Sequence, residues 1–175
     1  LSGKKRTRFA VVRYGNVINS RGSVIPFFKK ILLEKNYFPV TDKEMTRFFM
    51  KVEDGVKFVL KSFERMYGGE IFIPKINSIK ILDIAKSLDP KAEIKIIGIR
   101  PGEKLHEILC PQDEAHLTLE FKDYFMIKPS IGLDVKNNYR KNPLGENGKA
   151  VFKNFEYSSL KNNFLSISEI KKLIN

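Results

Sequence analysis

Apolar residues recur along several stretches of the chain with the spacing of one helical face. These stripes lie at residues 24–32, 52–66 and 81–88. Their apolar side chains return every three or four positions, which predicts amphipathic helices. Ser23 and Ser78 are suited to cap the first and third helices. Ser166 and Glu169 form a capping box for a last helix, and a further helix is predicted at 102–109.

Short runs of β-branched and aromatic residues lie between the predicted helices and predict strands. These runs cover residues 9–13, 38–41, 71–73, 94–99 and 117–127. Residues 137–149 are rich in Asn, Gly and Lys, which predicts a mobile loop. Alternating strands and helices are typical of an α/β layer structure. With 175 residues, the chain is predicted to form a single domain over 1–175.

The composition is that of a globular protein, with 42% hydrophobic and 30% charged residues. The apolar runs are far shorter than the roughly 20 residues that cross a bilayer, and no secretory signal opens the chain. The single cysteine excludes an internal disulfide. A reducing cytoplasm is therefore the predicted location.

Lys and Arg outnumber Asp and Glu by 32 to 20, giving a formal charge of +12. This surplus favours an anionic partner: nucleic acid, an acidic membrane face or a phosphorylated small molecule. A solvated basic surface explains it equally well. The charge by itself does not choose among these partners.

Several common site patterns are absent from the sequence. No G-x-G-x-x-G follows a predicted strand, so the phosphate loop of a dinucleotide-binding fold is missing. Two histidines and one cysteine are too few for the four His/Cys ligands of a structural zinc site, and no metal site is predicted. The spacing also provides no nucleophile, base and orienting residue for covalent catalysis.

Three segments carry a family resemblance when they are read in order. They are V-V-R-Y-G-N-V-I-N-S-R-G-S-V at 11–24, P-V-T-D-K-E-M-T-R-F-F-M at 39–50 and I-G-I-R-P-G-E-K-L-H-E-I-L at 97–109. Together with G-G-E-I-F-I-P-K at 68–75 and F-E-Y-S-S at 155–159, they closely resemble the UDP-N-acetylglucosamine 4,6-dehydratases (inverting). The resemblance implies the C-terminal part of a Rossmann-like extended short-chain dehydrogenase fold.

The resemblance implies that Arg47 and Arg100 hold the diphosphate of a UDP-sugar. The chemistry agrees, because the planar guanidinium presents a fork of donors that matches phosphate oxygens. Each arginine lies near the end or the start of a predicted element, and α/β folds bind ligands at strand ends.

Other site residues follow from the same resemblance. Asn16 is placed on the substrate, and Val17 is placed against the nicotinamide end of the cofactor. Glu103 either orients Arg100 or reaches the ribose, with a helix-surface role equally open. The remaining substrate-binding residues implied are Arg21, Gly22, Ser23, Val24, Tyr157, Ser158, Ser159 and Leu160.

Some segments imitate catalytic motifs of the family without their context. Tyr124 and Lys128 have the Tyr-x-x-x-Lys spacing, but they lie in a strand-like run where residues four apart do not meet. The same spacing at 157–161 and the triplet Thr-Asp-Lys at 41–43 lie outside the segments that carry these groups in the family. His106 and Cys110 are interpreted as helix-face residues. No catalytic residue is therefore assigned to this chain.

The resemblance implies a complete enzyme in which an N-terminal Rossmann half binds NADP. Hydride leaves C4 of UDP-N-acetylglucosamine, water is lost across C5 and C6, and hydride returns to C6 with inversion at C5. The glycine loop, the Tyr/Lys pair and the acid/base residues would all precede Leu1, so this chain supplies the UDP-sugar site only. A cytoplasmic homo-oligomer acting in pseudaminic acid or surface-polysaccharide synthesis, without a nucleic-acid or membrane partner, is the implied setting.

Three alternatives remain open. A sibling nucleotide-sugar epimerase or a retaining dehydratase has similar C-terminal motifs. A basic nucleic-acid-binding module would need exposed aromatics among clustered Lys and Arg, whereas most of the 14 Phe fall on apolar stripes. A stand-alone UDP-sugar-binding protein is the third.

Overall fold

The protein is described from a computed structural model, which covers residues 7–130 and 137–174. The helices are α1 (Val24–Lys35), α2 (Val52–Arg65), α3 (Ile81–Leu88) and α4 (Ile167–Ile174), with a 3-10 helix at Gln112–Leu117. The strands are β1 (Val11–Val12), β2 (Asn16–Val17), β3 (Tyr37–Val40), β4 (Thr46–Met50), β5 (Ile71–Pro74), β6 (Ser78–Lys80), β7 (Glu93–Ile96), β8 (Ile108–Cys110), β9 (Thr118–Glu120), β10 (Tyr124–Ile127), β11 (Lys149–Ala150) and β12 (Tyr157–Ser158). The mixture of strands and helices confirms the predicted α/β class.

The chain divides into two compact units. Unit 1 comprises Leu1–Tyr14, Glu53–Lys75 and Leu109–Tyr157, and unit 2 comprises Gly15–Val52, Ile76–Ile108 and Ser158–Asn175. Each unit therefore draws on three separate stretches of sequence. The single domain expected from chain length stays a prediction.

Unit 1 is built around a mixed sheet. Its order is β1-β5-β10-β9-β11, with β1 parallel to β5 and the other neighbours antiparallel. Phe58 of α2 packs in one apolar cluster with strand residues that include Phe72, Leu119 and Tyr124. Burial of these large side chains stabilises the unit, at about 25 cal/mol for each Å² of apolar surface removed from water.

Helix α2 ends one residue before the predicted stripe does, and most of that stripe does not face the core of unit 1. Val56, Leu60 and Phe63 expose 54, 60 and 65% of their surfaces. The helix instead buries Gly55, Phe58, Ser62 and Arg65. On this inner face, Ser62 donates to the Phe58 carbonyl and Arg65 donates to carboxylates of unit 1, although Nη1 of Arg65 has no hydrogen-bond partner within the described residues. Periodicity alone predicts only which residues share a face.

Unit 2 contains two small sheets. Strand β2 runs parallel to β4, β4 runs antiparallel to β6, and β3 runs parallel to β7. Helices α1, α3 and α4 pack with them around one core, whose buried members are Ile25, Phe28, Phe38, Val40, Met45, Phe49, Ile79, Ile81, Ile84, Ala85, Ile170 and Ile174. Helix α1 ends at Lys35, and Asn36, with a φ of 50°, is its left-handed C-cap.

Two predicted helix features are wrong. Ser78 does not cap α3, which begins at Ile81 with Lys80 at the N-cap. Ser78 lies in β6 instead, where its N–H donates to the Asn163 carbonyl at 2.9 Å and its Oγ accepts from Asn162 at 2.9 Å. These long-range bonds satisfy the serine in an extended conformation, which a local capping pattern does not foresee.

The helix predicted at 102–109 does not form. Gly102 has a φ of 84° in a turn, and the segment continues into β8. The run at 117–127 is also not one strand, because Phe121 donates to the Tyr124 carbonyl and the chain folds into the β9–β10 hairpin. In both places a turn interrupts an apolar run that periodicity had treated as continuous.

Candidate functional site

A pocket of about 880 Å³ opens within unit 2. Nine residues assigned to the site from sequence line it: Asn16, Val17, Arg21, Gly22, Ser23, Val24, Arg47, Arg100 and Glu103. Lining residues that the sequence analysis did not single out include Phe27, Phe28 and Lys30 from α1 and Phe49 from β4. The pocket thus gathers residues far apart in sequence onto one surface.

The loop before α1 and the start of that helix form one wall. The N–H of Ser23 donates to the Ser20 carbonyl at 3.0 Å, and Gly22 adopts a φ of 76° that favours glycine. Ser23 is the N-cap, as predicted, but its side chain makes no capping bond. Its Oγ is buried without a hydrogen-bond partner in the part of the chain that the structure describes.

This arrangement leaves polar groups at the start of α1 available to a ligand. The first N–H groups of a helix have no partner within the helix. They carry partial positive charge, and together with the Ser23 hydroxyl they can bind an anion or a base carbonyl. Pro26, in the first turn, also lines the pocket and has no N–H to contribute.

A second wall comes from β2 and β4, which lie side by side. Asn16 is paired with Phe49 and Val17 with Met50, so both predicted residues are held by the parallel ladder. Gly15 precedes them at a close approach: a Cβ added there would lie 2.8 Å from the Phe48 carbonyl oxygen. Only glycine allows the two backbones to meet in this way.

Arg47 projects from β4 and is largely buried, with 14% of its side chain exposed. Its Nη1 donates to the carbonyls of Thr46 at 2.7 Å and Leu105 at 3.1 Å. Its Nε lies 3.9 Å from Oε1 of Glu107. Neutral carbonyls thus fix the guanidinium without cancelling its charge.

Arg100 and Glu103 form a tight turn at the pocket edge. The Arg100 N–H donates to the Glu103 carboxylate, and the Glu103 N–H donates to the Arg100 carbonyl, both at 3.0 Å. Glu103 therefore orders the backbone of Arg100, while the arginine itself is exposed. The predicted proximity of the two residues is present, in a turn in place of a helix.

A hydrogen-bonded cluster behind Arg47 contains Ser159, a residue predicted from sequence, together with three residues that sequence reasoning missed. Thr46 Oγ1 lies 2.8 Å from His106 Nδ1 and 2.7 Å from Ser159 Oγ. The Glu107 N–H donates to Ser159 Oγ at 2.9 Å, and the Glu107 carboxylate accepts from the Phe48 N–H at 2.9 Å. His106 and Glu107 were missed because the sequence predicts a helix at 102–109 that does not form, and Thr46 was missed because its partners lie far along the chain.

The pKa of Glu107 is raised chiefly by burial, which the Phe48 hydrogen bond and the Arg47 charge only partly oppose. Desolvation therefore affects the pKa of this carboxyl group more than the arginine does. Arg47 and Glu107, 3.9 Å apart, are expected to attract each other less than an ion pair joined by a direct hydrogen bond.

The predicted segment 157–160 does not line this pocket. Tyr157 is buried in unit 1, with its ring 4.9 Å from that of Phe125. Ser158 and Ser159 are buried, and Leu160 exposes 46% of its surface. In unit 2, Ser159 supports Thr46 and Glu107, so its structural contacts are internal. A substrate contact by this segment stays a prediction.

One motif imitation, Tyr124 and Lys128, lies in extended structure as the sequence analysis expected, and one interpretation needs correction. Tyr124 lies in β10, and its hydroxyl accepts a hydrogen bond from Asn142 in place of a lysine. Cys110 is buried in β8 and His106 lies outside any helix, so the interpretation of both as helix-face residues is wrong. Their surroundings are set by strand and turn contacts.

The pocket has the chemistry of an anion site with an aromatic wall. Arg21, Arg47, Arg100 and Lys30 line it against one acid, Glu103. Among residues 7–130 and 137–174, no cluster of three His, Cys, Asp or Glu could hold a metal ion. Likewise, no helix in these ranges is long and apolar enough to cross a membrane.

Comparison with known proteins gives consistent matches across the chain. The family described as polysaccharide biosynthesis protein matches residues 1–129. The UDP-N-acetylglucosamine 4,6-dehydratase (inverting) of Campylobacter jejuni is 55% identical, over 100% of this chain and 53% of its own length. The UDP-glucose 4-epimerase of Rickettsia conorii is 38% identical over 96% of this chain and 49% of its own.

A solved structure shares the fold. The X-ray structure of Pen from Bacillus thuringiensis superposes with a TM-score of 0.80 at 33% identity, covering 98% of this chain and 51% of that one. The chain spans about half the length of the curated relatives it matches.

Proposed function

We propose a function for this chain, which belongs to the polysaccharide biosynthesis protein family. Its resemblance to the inverting UDP-N-acetylglucosamine 4,6-dehydratases is confirmed. Its structural relatives confirm the predicted partial Rossmann-like fold of the extended short-chain dehydrogenases. The proposed role is the UDP-sugar site of a nucleotide-sugar 4,6-dehydratase that inverts C5. The substrate proposed is UDP-N-acetylglucosamine.

One observation carries this proposal: the pocket of unit 2 combines cations with an aromatic wall. Arg47 and Arg100 supply planar donor forks suited to two phosphate groups. The start of α1 adds amides that have no partner within the helix, suited to a phosphate oxygen or a base carbonyl. The apolar ring of Phe27, which is 39% exposed, can pack on a nucleobase. A nucleoside diphosphate satisfies all of these groups at once.

Val17 is the residue of this chain that we propose contacts NADP. Val17 is half-buried and lines the pocket beside Asn16, so its apolar side chain can pack against a nicotinamide ring. Bound NADP would supply hydride exchange with the sugar at C4 and C6. The residues of this chain would hold the diphosphate and orient the sugar, with the amide of Asn16 able to donate to and accept from it.

A second candidate is a sibling epimerase, favoured by the 38% identity to the UDP-glucose 4-epimerase of Rickettsia conorii. The same pocket would bind UDP in either enzyme, because the diphosphate and base are common to both substrates. The reactions differ only at the sugar. The product therefore separates the candidates, together with the retaining dehydratases.

The full-length protein should convert UDP-N-acetylglucosamine to a 4-keto-6-deoxy sugar without added NADP, because hydride is returned within each cycle. In deuterated water the product should carry deuterium at C5, since inversion replaces that proton from the opposite face. NMR of the fresh product measures both features. A 4-epimer with an intact C6 hydroxyl would establish the epimerase, and retention at C5 the other dehydratase branch.

The 175-residue chain by itself is expected to bind NADP poorly and to show no turnover, since it has no glycine-rich phosphate loop. Aggregation is expected as well, because α2 exposes Val56, Leu60 and Phe63. Turnover of UDP-N-acetylglucosamine by the purified chain would refute the proposal that this chain supplies only the UDP-sugar site. A cytoplasmic location and a homo-oligomer belong to the same proposal.

A further inference from the structure

Contacts with Thr46, Leu105 and Glu107 limit the orientation of the Arg47 guanidinium. One end of the guanidinium donates from Nη1 to the Thr46 and Leu105 carbonyls, at 2.7 and 3.1 Å. Its Nε faces the Glu107 carboxylate at 3.9 Å. Nη2 makes no hydrogen bond within the described residues. These contacts thus involve Nη1 and Nε of the guanidinium and leave Nη2 able to donate to a ligand.

Glu107 is anchored at both its side chain and its backbone. Its Oε2 accepts the Phe48 N–H at 2.9 Å, which ties the carboxylate to β4 one residue after Arg47. Its N–H donates to Ser159 Oγ, and its carbonyl accepts the Ser159 N–H at 2.8 Å. The carboxylate therefore cannot swing away from Arg47 without breaking the Phe48 bond.

Thr46 connects Glu107 to Arg47, because it bonds to residues that contact each of them. Its side chain is buried and bonds to both His106 and Ser159, and its N–H donates to the Leu105 carbonyl at 3.0 Å. Leu105, His106 and Glu107 are consecutive, so one short segment contacts Arg47 at two points. Such a shell of fixed contacts is what orients a side chain before a ligand arrives.

We propose that Glu107 is a positioning residue, which holds Arg47 in the orientation that binds the diphosphate of a nucleotide. The identity of the ligand rests on the proposed function. Glu107 need not touch the ligand, since it acts through Arg47. Its loss should therefore weaken diphosphate binding only while Arg47 is present.

The test is a double-mutant cycle in the full-length protein, with calorimetry of UDP and UMP binding. Glu107→Gln keeps the size and the acceptor for Phe48 but removes the charge facing Arg47. We expect it to weaken UDP binding roughly fivefold to tenfold. UMP, with one phosphate fewer, should lose less. In an Arg47→Ala background, Glu107→Gln should add no further loss.

The matched control is Glu44→Gln, the same change at an exposed residue of unit 2, which should leave UDP affinity unchanged. Additive losses in the cycle, or equal losses for UDP and UMP, would overturn the positioning role. If Glu107→Gln fails to fold, Glu107→Asp withdraws the carboxylate from Arg47 by one methylene, and its loss of UDP affinity should likewise disappear in the Arg47→Ala background. Absence of UDP binding by the unmodified protein would instead overturn the proposed function.

Discussion

Two arginines of this chain each lie beside a glutamate, but they differ in what neutralises them. In unit 1, the side chain of Arg65 is fully buried. It donates to both Glu146 and Asp123 at 2.8 to 3.0 Å and lies 4.1 Å above the Tyr124 ring. In unit 2, Arg47 donates to neutral carbonyls, and the Glu107 carboxylate is 3.9 Å away.

The difference separates a structural arginine from one available to a ligand. Arg65 is compensated by two carboxylates within its own unit, as buried charges require. Arg47 lines an open pocket, and its hydrogen bonds within the described residues go to neutral carbonyls. The two glutamates report this contrast: hydrogen bonding to Arg65 lowers the pKa of Glu146, whereas burial raises the pKa of Glu107 despite Arg47.

Removing Arg65 should give the largest effect and show that it is structural. Arg65→Ala leaves Glu146 and Asp123 without their partner and opens a cavity under Tyr124. We expect a loss of about 3 kcal/mol in the free energy of unfolding. Urea denaturation of the full-length protein measures it. Arg65→Lys should be intermediate, and a loss below about 1 kcal/mol for Arg65→Ala would contradict the comparison.

Gly15→Ala should disturb the strand that carries Arg47. The added methyl would lie 2.8 Å from the Phe48 carbonyl oxygen, so β2 and β4 must separate. We expect a cost of about 2 to 3 kcal/mol. Gly22→Ala is the matched comparison, since it meets nothing within 4 Å and costs only backbone strain at a φ of 76°, about 1 kcal/mol. Equal melting temperatures for the two variants would exclude the close approach at Gly15.

Arg47→Ala and Arg100→Ala should weaken UDP binding by about 2 kcal/mol each, because each removes a charged donor fork from the pocket. Lysine at either position should restore binding only partly, since one ammonium cannot span two phosphate oxygens. Calorimetry with UDP measures the affinities, and denaturation should show little change in stability for Arg100→Ala. Unchanged affinity in both alanine variants would exclude the diphosphate role.

The smallest expected effect concerns the pH dependence of stability. Because the folded pKa of Glu146 is lowered, its contribution is complete above the unfolded value of about 4.3 and is lost as pH falls through the folded pKa. The folded pKa of Glu107 is raised, so its contribution is complete below about pH 4.3 and is lost as pH rises through the folded pKa. NMR titration of the two carboxyl carbons tests the opposite shifts. Shifts in the same direction would contradict the comparison of the two pairs.

Much of unit 2 could be predicted from local sequence. The stripe at 24–32 gave α1, and the capping box at Ser166 and Glu169 begins α4, with the Ser166 N–H donating to the Glu169 carboxylate at 2.8 Å. These elements follow from periodicity and from bonds between residues close in sequence. Ser78 and the segment 102–109 were mispredicted because their partners lie far along the chain.

The candidate site was predicted unevenly for the same reason. Motif resemblance pointed to Asn16, Arg47 and Arg100, and the structure brings all three to one pocket. It gave no indication of Glu107 or Thr46 as supports of Arg47. Glu107 bonds to Phe48, 59 positions away, and Thr46 bonds to Ser159, 113 positions away. No local sequence pattern encodes contacts over such separations.

By itself, the sequence determined the α/β class, the main helices and the family, because hydrophobic periodicity and ordered motifs are local properties of the chain. The tertiary structure alone decided which arginine is neutralised and which remains available. That choice depends on the carboxylates within hydrogen-bonding distance of each guanidinium. For Arg65 these come from Asp123 and Glu146, 58 and 81 positions away, and only folding brings such charges together.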